Sequence, residues 1–137
     1  MTQEDKELLL KDLCARLPYG VKVNNEIQGD FVIYGVSENY IFARTTTSHA
    51  DFRVENIKPY LFPLSSMTDK DLIVFLQIRG MNLNSYELKT FRRGEMTIVF
   101  TLSSYSRHSD WLNAHHFDYR GLIEKGLAID ATGLNIY

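Results

Sequence analysis

Phe31-Val32-Ile33-Tyr34-Gly35-Val36, followed after Ser37-Glu38-Asn39 by Tyr40-Ile41-Phe42-Ala43, decides the fold class. Both runs are dense in the β-branched and aromatic residues that fit a pleated surface, and the polar triplet between them has turn chemistry. Upstream, Val21 and Val23 alternate; downstream, Phe52-Arg53-Val54 follows the polar stretch 45–50. Several short strands so closely spaced predict a small curved antiparallel sheet, one form of which is a half-open barrel of the SH3-like kind. Gly35, inside the strongest run, marks a bulge, a close backbone approach or a kink that lets the sheet curl.

Ahead of the sheet lies a helix. Thr2 caps it with Asp5 at the capping-box position, and Glu4, Asp5 and Glu7 set negative charge against the helix dipole. Leu9, Leu10, Leu13, Cys14 and Leu17 share a face, while Glu7–Lys11 and Asp12–Arg16 read as outward i,i+4 pairs. Pro18 ends the helix. Beyond the sheet, Ile57-Lys58-Pro59-Tyr60-Leu61-Phe62-Pro63-Leu64 carries two prolines, which disfavour both helix and central strand. The expectation is an extended apolar connector that leaves the sheet. A short helix follows, capped by Ser66 or Thr68, with Leu72, Phe75, Leu76 and Arg79 on one face and Gly80 as its stop. Residues 86–91 and 95–102 predict a hairpin around Arg92-Arg93-Gly94. Residues 110–116 predict a helix, and residues 119–125 a further turn or two ending at Gly126. Leu127-Ala128-Ile129 then pairs or packs, and the last residues fray. The result is a single α+β domain over 1–137, divisible into 1–64 and 65–137.

Composition narrows the function. A chain of 137 residues, 45% hydrophobic and 23% charged, belongs to the globular class and not the disordered one. Fifteen Lys and Arg against 17 Asp and Glu give a net charge of −2, which removes the simplest case for nucleic-acid binding. A single cysteine, Cys14, excludes an intrachain disulfide and a thiolate-rich zinc site, and fits a reducing cytoplasm. No apolar run reaches the ~20 residues of a membrane helix. The opening Met1-Thr2-Gln3-Glu4-Asp5-Lys6 is too polar for a signal peptide. A cytoplasmic protein without membrane contact is expected.

Three stretches carry a more specific likeness: residues 1–20, residues 57–61 with Leu64-Ser65-Ser66-Met67-Thr68, and the tail from Asp110-Trp111-Leu112-Asn113-Ala114-His115-His116-Phe117-Asp118-Tyr119-Arg120 to Ala128. Together these resemble an uncharacterised protein family of gut Bacteroidales genomes, their phages and mobile elements. The resemblance covers about half the chain. That family has no assigned activity, so the resemblance implies an origin and no catalytic residues. Residues 69–109 depart from its pattern.

Four constellations bear on chemistry. His108, His115 and His116 lie near Asp110, Asp118 and Glu124, but adjacent histidines on a helix point about 100° apart, so no tetrahedral metal shell is expected. Cys14 sits in the apolar stripe, where a thiol is inert filling. With no nucleophile elbow, phosphate-binding loop or paired carboxylates, neither enzymatic activity nor a cofactor is expected. Lys89, Arg92 and Arg93 form a basic cluster at the hairpin, suited to nucleic-acid contact. The tail gathers Trp111, His115, His116, Phe117 and Tyr119 within nine residues. Of these, Trp111 and Phe117 suit the core. His116, Tyr119 and Arg120 are candidates to face outward toward a protein partner or a second copy. The competing account has Asp118 and Arg120 bracing a helix junction, with Tyr119 flat on the core. The expected function is a non-enzymatic accessory or protein-interaction protein of phage or mobile-element origin. The alternative is a small nucleic-acid-binding regulator using the basic hairpin.

Overall fold

The computed structural model describes residues 1–78 and 106–137. It is an α+β fold: helix α1 (Gln3–Arg16), strands β1 (Lys22–Asn25), β2 (Gly29–Val36), β3 (Tyr40–Arg44), β4 (His49–Arg53) and β5 (Lys58–Pro63), helices α2 (Asp69–Ile78) and α3 (Ser106–Ala114), and the short strands β6 (Phe117–Asp118) and β7 (Ile129–Asp130). The strands run β4-β3-β2-β1-β5-β6 in one curved, open sheet, and β7 also pairs with β5. The expected hairpin at 86–102 lies outside the described residues.

Helix α1 starts where its capping chemistry requires. The Thr2 hydroxyl accepts from the Asp5 N–H at 3.1 Å and the Asp5 carboxylate takes the Thr2 N–H. Leu9 and Leu13, one turn apart, are fully buried against Val23, Ile33, Ile41 and Ala43 of the sheet. Cys14 is exposed, not core filling: one residue past Leu13, it is rotated about 100° off the buried stripe. The Asp12–Arg16 pair departs from expectation in the opposite sense and is wholly buried.

Strands β1 to β4 form an antiparallel meander. Its register slips between Ile33 and Gly35, leaving Tyr34 as the extra residue of a bulge. The bulge expected at Gly35 is present, and the Phe42 side chain packs against this position, where a Cβ would stand 3.1 Å from its ring. The slip keeps Ile33, Ile41 and Ala43 in the core while Tyr34 faces out.

The segment 57–64 does not leave the sheet. It forms β5, which pairs with β1 antiparallel and with β6 and β7 in parallel. The prolines are tolerated because each ladder spans only two residues and Pro63 ends the strand. The expected all-antiparallel sheet is therefore mixed. Thr68 caps α2, exchanging bonds with Asp71.

The tail differs more. Helix α3 ends at Ala114, and residues 119–126 form turns instead of a helix, closed by Lys125 and Leu127 N–H bonds to the Gly121 and Leu122 carbonyls. Asp118 organises them, accepting the Leu122 and Ile123 N–H groups at 3.0 and 2.9 Å. The chain end is tied down, not frayed. The Tyr137 hydroxyl donates to the Tyr60 carbonyl at 2.8 Å and accepts from the Lys22 N–H at 2.9 Å. Leu122, Leu127 and Ala128 thereby complete the core under the sheet, while Met67, Leu72, Phe75, Leu112 and Phe117 make a second apolar cluster.

Candidate functional site

The three tail candidates are each partly buried and make contacts within the chain. His116 follows the last turn of α3 in the left-handed region, with φ of 63°. Its carbonyl accepts the Phe62 N–H at 2.8 Å, locking β6 to β5. Its ring stacks on Tyr137 at 3.6 Å between centroids. Burial, then the nearby Arg16, His115 and Lys22 charges, lowers its pKa to about 4. The same burial pushes the Tyr137 phenol up to about 12. The Tyr119 hydroxyl donates to Asn113 at 3.0 Å, and the Arg120 guanidinium lies 4.7 Å from the Tyr119 ring centre. Arg120 also reaches Asp12 at 3.6 Å.

These contacts converge on the buried pair. Arg16 Nε donates to Asp12 Oδ2 at 2.7 Å, and its Nη2 donates to the Phe117 carbonyl at 2.6 Å. The guanidinium also stands 5.4 Å from the centre of the Tyr119 ring. So Tyr119 lies between two arginines, and Asp118 and Arg120 brace a junction. Most of the cluster's polar groups join α1 to the tail, while Asp12 Oδ1, Arg16 Nη1 and His116 Nδ1 are buried without a hydrogen-bond partner.

Ser66, Asp71 and His115 line a hollow of about 230 Å³. They make no catalytic relay. The Ser66 hydroxyl donates to the Pro63 carbonyl at 2.7 Å, Asp71 caps α2, and His115 Nδ1 is turned to the Trp111 carbonyl at 2.9 Å. Among the described residues no group of three or more His, Cys, Asp and Glu side chains could hold a metal ion. No helix among them is long and apolar enough to cross a membrane. Lys89, Arg92 and Arg93 lie outside the described residues.

The outer face of the sheet is different, because it carries functional groups that the interior does not consume. Residues alternating with the core strands place Tyr34, Tyr40 and Phe42 on this face, with Tyr34 and Tyr40 each more than two-fifths exposed. Tyr34 stands at the centre, 6.5 Å from Phe42 and 5.7 Å, edge to face, from His49. Arg44 lies 5.5 Å from the Tyr34 ring centre and Arg53 5.8 Å from that of Tyr40. By register, Lys22 and Lys58 share the face with these arginines; Asp30 and Asp51 stand among the four cations, and Glu55 lies 3.9 Å from Arg53. Asp30 is engaged, accepting from the Tyr60 hydroxyl at 2.7 Å and the Asn24 amide at 2.9 Å. Burial and Asp30 together raise the Tyr60 pKa.

This platform was missed by the sequence reading, although its signal was present. Tyr40, Phe42 and Arg44 alternate with Ile41 and Ala43, and such outward aromatic and cationic positions were read only as strand formers. No family model, curated protein or solved structure matches the chain.

Proposed function

We infer that this chain is a small non-enzymatic binding protein that holds single-stranded nucleic acid across the outer face of β2, β3 and β4. The observation that carries the reading is the exposed Tyr34 ring, flanked by Phe42 and His49 and overlain by Arg44. Aromatic rings on a sheet give unpaired bases a stacking surface whatever their sequence, and interleaved arginines meet the phosphates. Double-stranded DNA is a poorer match, since its bases present edges and not faces to a flat surface. The resemblance to a phage and mobile-element family supports an accessory role. A protein partner at His116, Tyr119 and Arg120 gains little support, since Tyr119 and Arg120 are bonded within the chain and the His116 ring is stacked on Tyr137.

The test is fluorescence anisotropy with labelled 12-nucleotide DNA and RNA strands at low salt. Wild type binds, and Tyr34→Ala weakens binding roughly tenfold, as the loss of one stacked base does, without lowering the melting temperature. Absence of binding at low salt, or equal binding by the Tyr34→Ala variant, overturns the reading in favour of a protein partner.

A further inference from the structure

The platform ends in a pocket. Lys22, Val32 and Arg44 form one transverse row across β1, β2 and β3. Above this row opens a cavity of about 660 Å³, walled on one side by Thr45 and Thr46 of the β3–β4 turn and on the other by Asn135 and Ile136; Asp30 also lines it, its carboxylate held by the Tyr60 hydroxyl and the Asn24 amide. The two cations stand two strand spacings apart, about 10 Å between backbones, so their long side chains reach a group placed between them. Val32 and Ile136 give the pocket an apolar surface, suited to a sugar or a base. Arg44 joins the pocket to the platform, since its guanidinium also lies over Tyr34.

The wall formed by the chain end gives the pocket its meaning. Ile136 offers its carbonyl to Lys22 Nζ, and Tyr137 is bonded to β1 and β5. Residues 135–137 therefore cross the sheet face at the pocket and block it there. A strand laid from β4 toward β1 cannot pass; it must stop. We propose that this pocket takes the phosphorylated end of a single strand, with the terminal phosphate between Lys22 and Arg44 and the last nucleotide against Val32 and Ile136. The proposal rests on the platform reading and adds end recognition to it.

Twelve-nucleotide strands ending in hydroxyls, in a 5′-phosphate or in a 3′-phosphate distinguish the two ideas in one titration series. A phosphate at one of the two ends is expected to tighten binding about fivefold or more, the gain of charge-assisted hydrogen bonds. Thr46→Glu, which sets a carboxylate in the pocket wall, is expected to abolish that gain, and Asn135→Gly to reduce it, both at unchanged melting temperature. Tyr34→Ala weakens every strand but keeps the ratio between phosphorylated and hydroxyl ends. Equal binding of all three strands, with Tyr34→Ala still weakening them, overturns the pocket and leaves the platform. Failure of every strand to bind overturns both.

Discussion

Asp12 and Arg16 show how burial reverses the meaning of a sequence pattern. An aspartate four residues before an arginine on a helix is a solvent-facing pair worth a few tenths of a kcal/mol. Here neither side chain is accessible, and Arg16 divides its donors between Asp12 and the Phe117 carbonyl, 101 positions away. Removing one partner of such a pair strands a charge in a poor solvent, which costs about 3–5 kcal/mol. Arg16→Met is therefore expected to lower the denaturation midpoint severely, because Arg120 meets Asp12 only at 3.6 Å, beyond hydrogen-bonding distance. The double variant Asp12→Leu, Arg16→Met regains part of the loss, having removed both charges. It does not regain all of it, since the Phe117 carbonyl still lacks its donor. A midpoint unchanged in Arg16→Met would show that α1 and the tail are not joined in this way. Cys14 completes the lesson: two residues from each member of the pair, it is exposed while they are buried.

The tail behaves as a strap whose parts depend on one another. His116 turns the chain from α3 into β6, and the Tyr137 ring closes over it. The folded histidine holds its neutral form down to about pH 4, against an ordinary value near 6.5. Above pH 6.5 both folded and unfolded chains carry the neutral ring, and the group makes no pH dependence. As the pH falls from 6.5 toward 4, the unfolded chain takes up the proton and the folded chain resists it, so stability is lost through that window. Below the folded value the loss from this group is complete. His116→Asn, which tolerates the left-handed backbone, should melt with a flatter pH dependence between 6.5 and 4 than wild type. Identical slopes would mean that the ring titrates freely and the strap is open. Little of this element could be read from its own residues. The capping boxes at Thr2 and Thr68, the strands β2 and β3 and the bulge beside Gly35 were legible because their signals are local: a hydroxyl three residues from a carboxylate, a β-branched run, a glycine inside it. The two-residue ladders of β6 and β7 have no period to detect, and the prolines of β5 argued against a strand that short pairing permits. The turns at 119–126 follow from Asp118 capturing two N–H groups, a contact that requires the chain to have folded back already.

At the scale of the whole molecule, net charge and local field point in different directions. The chain carries −2, yet the outer sheet face gathers Lys22, Arg44, Arg53 and Lys58 against Asp30, Asp51 and the Glu55 that pairs with Arg53. An average over the surface hides this, which is why composition alone disfavoured nucleic acid. The curved sheet separates its two faces by alternation along the strands, shifted once at the Tyr34 bulge: apolar residues go under α1, and the outside is enriched in aromatic and cationic side chains. Salt dependence reads the local field directly. A single strand that runs from β4 to the pocket and meets Arg53, Arg44 and Lys22 releases counterions in proportion, about 0.7 per neutralised phosphate. The logarithm of the binding constant is then expected to fall against the logarithm of salt concentration with a slope of about −2. Arg44→Gln should make that slope shallower by about 0.7, because it removes one phosphate contact. Tyr34→Ala should weaken binding at every salt concentration and leave the slope as it was, since a stacked base releases no ions. The two variants thus separate the electrostatic and stacking parts of one surface. A slope near zero in wild type would place the contact elsewhere than this face, and a slope changed equally by both variants would mean that Arg44 and Tyr34 act only by holding the sheet in shape.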